Sequence, residues 1–102
     1  MNNDKQTQRT RMDGKTAMAF AGHAFEQQRP RNTWPEWLQR CTVASYGKDK
    51  DGRFIVSLAV TLKATGNSET YFEALVDPET AETTVLTGKD PSQYLGEDLL
   101  GF

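Results

Sequence analysis

The sequence has one cysteine and one histidine among 102 residues. With Cys41 alone no intrachain disulfide can form, which fits a reducing compartment, and the expected location is the cytoplasm. His23 and Cys41 stand eighteen positions apart with no CxxC or HxxxH pair, so no metal site is expected. Asp49 and Asp51 before Gly52 have the flavour of a calcium loop, but the glycine is misplaced and no glutamate closes it. Neither a P-loop nor a GxGxxG run is present, so no cofactor is expected. Nucleophilic catalysis needs a base beside a nucleophile, and nothing in the spacing brings His23 to Cys41. The carboxylates fall in turns and in the tail, where water keeps them ordinary. The chain is therefore expected not to be an enzyme. No apolar run approaches the ~20 residues that cross a bilayer, and no signal-like apolar stretch follows the first basic residues, so no membrane partner is expected.

What is present suits one modest core: 36% apolar and 25% charged residues. The net charge of −2 is uneven, with +3 on residues 1–33 and −5 on residues 34–102. Residues 1–12 hold Lys5, Arg9 and Arg11 among Asn, Gln and Thr, and are expected to be a disordered basic arm. Residues 13–102 are expected to form a single α+β domain ending in an apolar, acidic tail, 89–102.

The strongest pattern is FIVSLAVTLK, residues 54–63, where Phe54, Val56, Leu58, Val60 and Leu62 alternate with wetter positions. It predicts the central strand of a four-stranded antiparallel meander. Before it, Ala-rich residues 15–28 predict a helix capped by Asp13 and stopped by Pro30, packed on one face of the sheet. Met18 and Phe20 also fit a strand, and that alternative gives a five-stranded small barrel. Thr33 and Glu36 match a capping box for a short helix through about Arg40, with Trp34 and Trp37 on one face anchoring it to the sheet.

CTVASY, residues 41–46, is the next strand. Asp51-Gly52 signals a hairpin that can take either of two registers. A three-residue loop puts Asp49 opposite Arg53. A two-residue loop puts Cys41 and Val43 with Val60 and Leu62, and the choice flips the strand. A loop at Gly66-Asn67-Ser68 would set Phe72, Ala74 and Val76 opposite Leu62, Val60 and Leu58, with Tyr71 and Glu73 on the wetter face. Asp77-Pro78 makes the third turn, with Ala81 standing where glycine would be easier. TTVLT, residues 83–87, is the last strand. Asp90-Pro91 begins a helical turn that Gly96 ends. Short edge strands with charges nearby are expected to limit edge pairing, although a homo-oligomer through a sheet edge stays open.

Two functions fit this outline. The first is a non-enzymatic protein-binding module: an adaptor, a subunit, or a small inhibitor displaying Asp77, Glu79, Glu82, Asp90, Glu97 and Asp98. Its contacts would be Tyr94, Leu95, Glu97, Asp98, Leu99, Leu100 and Phe102 of the tail, with Tyr71 and Glu73 of the exposed sheet face. The ordinary alternative is that the tail's apolar residues fold onto the core. The second function is single-stranded nucleic-acid binding, with Lys5, Arg9, Arg11, Lys15, Arg29 and Arg31 on phosphates and Tyr71 stacking on bases. Glu97, Asp98, Leu100 and Phe102 resemble the acidic tip of bacterial single-stranded-DNA-binding proteins, with Gly101 where that family has proline. The resemblance covers six residues and implies a tip that recruits partner proteins.

Overall fold

A computed structural model describes residues 12–101. Helix α1 spans Gly14–Gln28, and the Asp13 carboxylate caps it by accepting the Thr16 N–H at 2.8 Å. That N–H holds the Asp13 carboxyl below its usual range. Pro30 forces Arg29 into extended geometry, where its N–H makes a last helical bond to Phe25 O. The buried face is Gly14, Ala17, Ala21 and Phe25. Small residues let the helix lie close to the sheet, and a Cβ on Gly14 would collide with the Tyr46 ring. The basic arm expected at 1–12 lies outside the described residues except for Met12, which packs half-buried against the core.

Strands β1 (Thr42–Lys48), β2 (Phe54–Thr61), β3 (Ser68–Val76) and β4 (Thr83–Gly88) form one open antiparallel sheet in chain order. The fold is an α+β meander with α1 packed on one face, and residues 14–28 are helix rather than the fifth strand of a barrel. No helix among the described residues is long and apolar enough to cross a membrane.

The first hairpin takes the three-residue loop. Asp49 N–H bonds Arg53 O at 2.9 Å, and Gly52 adopts φ 82. The Asp49 carboxylate accepts the backbone N–H groups of Asp51 and Arg53 and the Arg53 guanidinium. Burial pushes the Asp49 carboxyl up, but these donors outweigh it and leave the group lowered. Thr42, Ala44 and Tyr46 therefore stand opposite Val60, Leu58 and Val56. Tyr46 thus joins the helix side, edge-on to Phe54.

The second hairpin corrects the predicted register. Phe72, Ala74 and Val76 face Leu58, Val56 and Phe54, four residues from the expected partners. The turn closes at Leu62–Asn67, with Gly66 at φ 73, rather than at Thr65–Glu69. A β-bulge then inserts Tyr71 between the pairs Leu58–Phe72 and Ala59–Thr70. The turn displaces the pairing by five and the bulge restores one, so the shift is even and the shared apolar face survives. The same bulge overturns the expectation for Tyr71: both Tyr71 and Phe72 turn inward, and Tyr71 is 1% exposed.

In the third turn Asp77 Oδ1 accepts the N–H groups of Glu79 and Thr80. Ala81 adopts φ 65, the left-handed conformation its position demands. Ala81→Gly is expected to raise stability by about 0.5–1 kcal/mol, the relief at Ala81 exceeding glycine's extra freedom when unfolded. A lower urea midpoint for the variant would refute this.

The capping box does not form. Trp34 precedes Pro35 and is held extended, which splits the segment into two 3₁₀ turns, Arg31–Thr33 and Glu36–Gln39. The Thr33 hydroxyl donates to Pro30 O instead. Trp37 is buried edge-on against Tyr71, and Trp34 lies half-buried against Phe25.

Candidate functional site

Helix α1 crosses the sheet diagonally, from Tyr46 of β1 at its start to Gly88 of β4 at its end. The corner where β1 begins is left uncovered, and a cavity of about 420 Å³ opens there. Its size lies within the ~300–1,000 Å³ of ligand pockets. Phe25, Leu58 and Tyr71 line it from the core, Ala19, Gly22, His23 and Glu26 from α1, and Trp34, Leu38 and Thr42 from the far side. The α1 positions 19, 22, 23 and 26 follow helical spacing. Gly22 costs roughly 0.5–1 kcal/mol relative to alanine in mid-helix, and only open space lies where its Cβ would be.

The lining is mostly apolar and aromatic. At its mouth Arg31 pairs with Glu26 at 2.5 Å and lies 4.8 Å above the Trp34 ring. The Tyr71 hydroxyl shares a hydrogen bond with Thr42 Oγ1, and burial raises the Tyr71 phenol. Among the described residues no three of His, Cys, Asp or Glu gather as a metal site. The cavity suits a large apolar or aromatic side chain.

Thr42 also begins β1, whose only strand partner among the described residues is β2. Every residue from Val43 to Lys48 is exposed. Asp49 and Arg53 form a hydrogen-bonded pair, so by antiparallel alternation the backbone groups of Thr42, Ala44, Tyr46 and Lys48 point away from β2. Within the edge strands themselves Lys48 is the one charge on β1 and β4 carries none, while Arg40, Asp49 and Lys50 flank β1 and Glu82 and Lys89 flank β4.

The tail residues sit elsewhere. A first turn, Pro91–Gln93, is capped by Asp90, whose carboxyl the N–H and hydroxyl of Ser92 hold low. Gly96 starts a second turn, Gly96–Asp98, rather than ending the first. Leu99 then bridges Leu62, with Lys63 N–H donating to Asp98 O and Leu100 N–H to Thr61 O. These are backbone groups of β2 and its extension that β1 leaves free, since its pairing ends at Thr42–Val60. Leu99 is 3% exposed, so it belongs to the core and is not a free contact. Leu95 is 58% exposed, and Glu97, Asp98 and Leu100 are also exposed. Phe102 lies outside the described residues. Glu73, on the sheet face away from α1, accepts from Ser57 Oγ.

Tyr94 packs edge-on to Trp37, accepts the Trp37 indole N–H at its carbonyl, and donates its hydroxyl to Glu69. Burial first, then the Glu69 carboxylate, push its phenol up to about 12. The folded state thus holds this proton more tightly than the unfolded chain. The stability linked to it is complete below the ordinary pKa of 10.0 and is lost as pH rises through about 12. Tyr94→Phe is expected to show a shallower loss of stability across that window in denaturation curves. Superimposable wild-type and variant profiles would contradict this.

Of the cations expected on phosphates, Arg29 lies 3.8 Å from Asp90 and Arg31 is paired with Glu26, while Lys15 is exposed. Lys5, Arg9 and Arg11 lie outside the described residues. No spacing in the sequence signals the cavity, because its lining comes from segments as far apart as Ala19 and Tyr71. The sequence matches no protein-family model, and the chain matches no curated protein and no solved structure.

Proposed function

We propose that this chain is a non-enzymatic protein-binding module of the cytoplasm, an adaptor, subunit or inhibitor that receives an extended segment of a partner along β1. The observation that carries this reading is the meeting of an edge strand, unpaired on its outer side among the described residues and exposed from Val43 to Lys48, with an apolar cavity at its first residue. Main-chain hydrogen bonds to Thr42, Ala44 and Tyr46 would supply affinity. Side chains two apart on the added strand would face α1, and the one beside Thr42 would enter the cavity. The nucleic-acid reading has lost Tyr71 as a stacking surface, because that ring is buried.

Ala44→Pro tests the proposal. Proline removes an outward N–H and leaves the bonds to β2 in place. Random peptides displayed against the wild type are expected to yield binders that lose about tenfold or more in affinity on the variant, the equivalent of one or two hydrogen bonds. Binders indifferent to Ala44→Pro, or none at all, would defeat the reading. A wild-type dimer that Ala44→Pro dissociates would instead assign the edge to a second copy of the chain.

A further inference from the structure

We infer that the segment received by β1 is acidic around a large apolar residue, an inference that rests on the strand-addition reading above. Charge is divided across the sheet. Residues 40–53, which contain β1, carry Arg40, Lys48, Lys50 and Arg53 against Asp49 and Asp51, a net +2. Residues 68–90, which contain β3 and β4, carry six carboxylates against Lys89, a net −5. An acidic segment is drawn to the first edge and repelled from the second.

The cations stand along the path such a segment would follow. Lys48 lies opposite Phe54 on the helix side, its ammonium 4.9 Å from the ring centroid. Arg40 is exposed just before β1. At the cavity mouth the Arg31 side chain is 65% exposed despite its pairing with Glu26. Exposed pairs of this kind contribute little, so an incoming carboxylate can share the guanidinium at small cost.

The molecule already holds a segment of this chemistry. The tail places Glu97-Asp98-Leu99-Leu100 on the extension of β2, in the row that β1 leaves vacant. Its leucine at 99 is buried, while Glu97 and Asp98 stay exposed at a small cavity they line with Lys63. An acidic, apolar stretch added edgewise is therefore a mode of binding this sheet uses on itself.

One peptide selected by display would be resynthesised with its flanking positions all Glu, all Ser or all Lys, and each version labelled with fluorescein. Anisotropy is expected to rank Glu above Ser above Lys, with about five- to tenfold between the first two. The gap should shrink with added salt and reverse between Glu and Lys on the double variant Arg40→Glu, Lys48→Glu. Equal affinities that all fall on Ala44→Pro would overturn this inference and leave strand addition standing. An empty display selection would remove strand addition itself. Tighter binding of an oligothymidylate than of the Glu peptide would overturn the inference in favour of nucleic acid.

Discussion

Phe25→Ala is expected to lower stability by about 3–5 kcal/mol. Native domains have about 5–15 kcal/mol to lose, so the variant should be near the limit of folding. Phe25 is 3% exposed and holds the helix to both bulge residues at once. Its ring centroid lies 5.1 Å from Phe72, 5.7 Å from Tyr71 and 5.4 Å from Trp34. The α1 residues one turn before it, Ala21 and Gly22, are too small to refill the space. Phe25→Leu keeps much of the volume and is expected to recover most of the loss. Urea denaturation measures both. A cost below about 1.5 kcal/mol for the alanine variant would mean that Phe25 is peripheral to the core.

Truncation after Gly88 is expected to damage the fold and not merely a binding tail. Burying Leu99 contributes roughly 1.5–3 kcal/mol. The edge-on contact of Tyr94 with Trp37 adds about 0.5–1.5 kcal/mol. Without Tyr94 O, the indole N–H of Trp37 at the core's rim loses its acceptor, at a cost of about 1–3 kcal/mol if it stays buried. Leu99→Ala separates the packing effect from the backbone bonds and is expected to cost about 2–5 kcal/mol by itself. Circular dichroism and a thermal scan of the truncated chain decide the matter. An unchanged melting temperature would mean that residues 89–102 are dispensable to the core.

Much of the architecture was legible because local signals agreed. Asp13, the alanine run and Pro30 bracket α1, and the period of two in residues 54–63 marks β2. Asp77 and Ala81 announced both the third turn and its strained residue. The β2–β3 register was not legible, since it depends on where the turn tightens and on one inserted residue. The adjacent aromatics Tyr71-Phe72 were the trace of that bulge, because strict alternation would have turned one of them to water. The tail was ambiguous for another reason. Leu99, Leu100 and Phe102 suit a docked strap or a free contact equally well until Thr61–Lys63 are seen to lack a partner in β1. The β1 cavity was least legible, for it exists only where a diagonal helix fails to cover a corner.

The strand order β1-β2-β3-β4 has a kinetic consequence. Every pairing within the sheet joins sequence neighbours through a short loop, so each hairpin closes with little loss of chain entropy and can form as soon as its residues leave the ribosome. The contacts between Trp37 and Tyr94, and between Leu62 and Leu99, enclose far longer loops and await residues 94–99, which are synthesised after the sheet. A nascent chain that has finished its sheet still lacks its strap, and until the strap arrives the apolar rim at Trp37 and Leu62 is open to any neighbour.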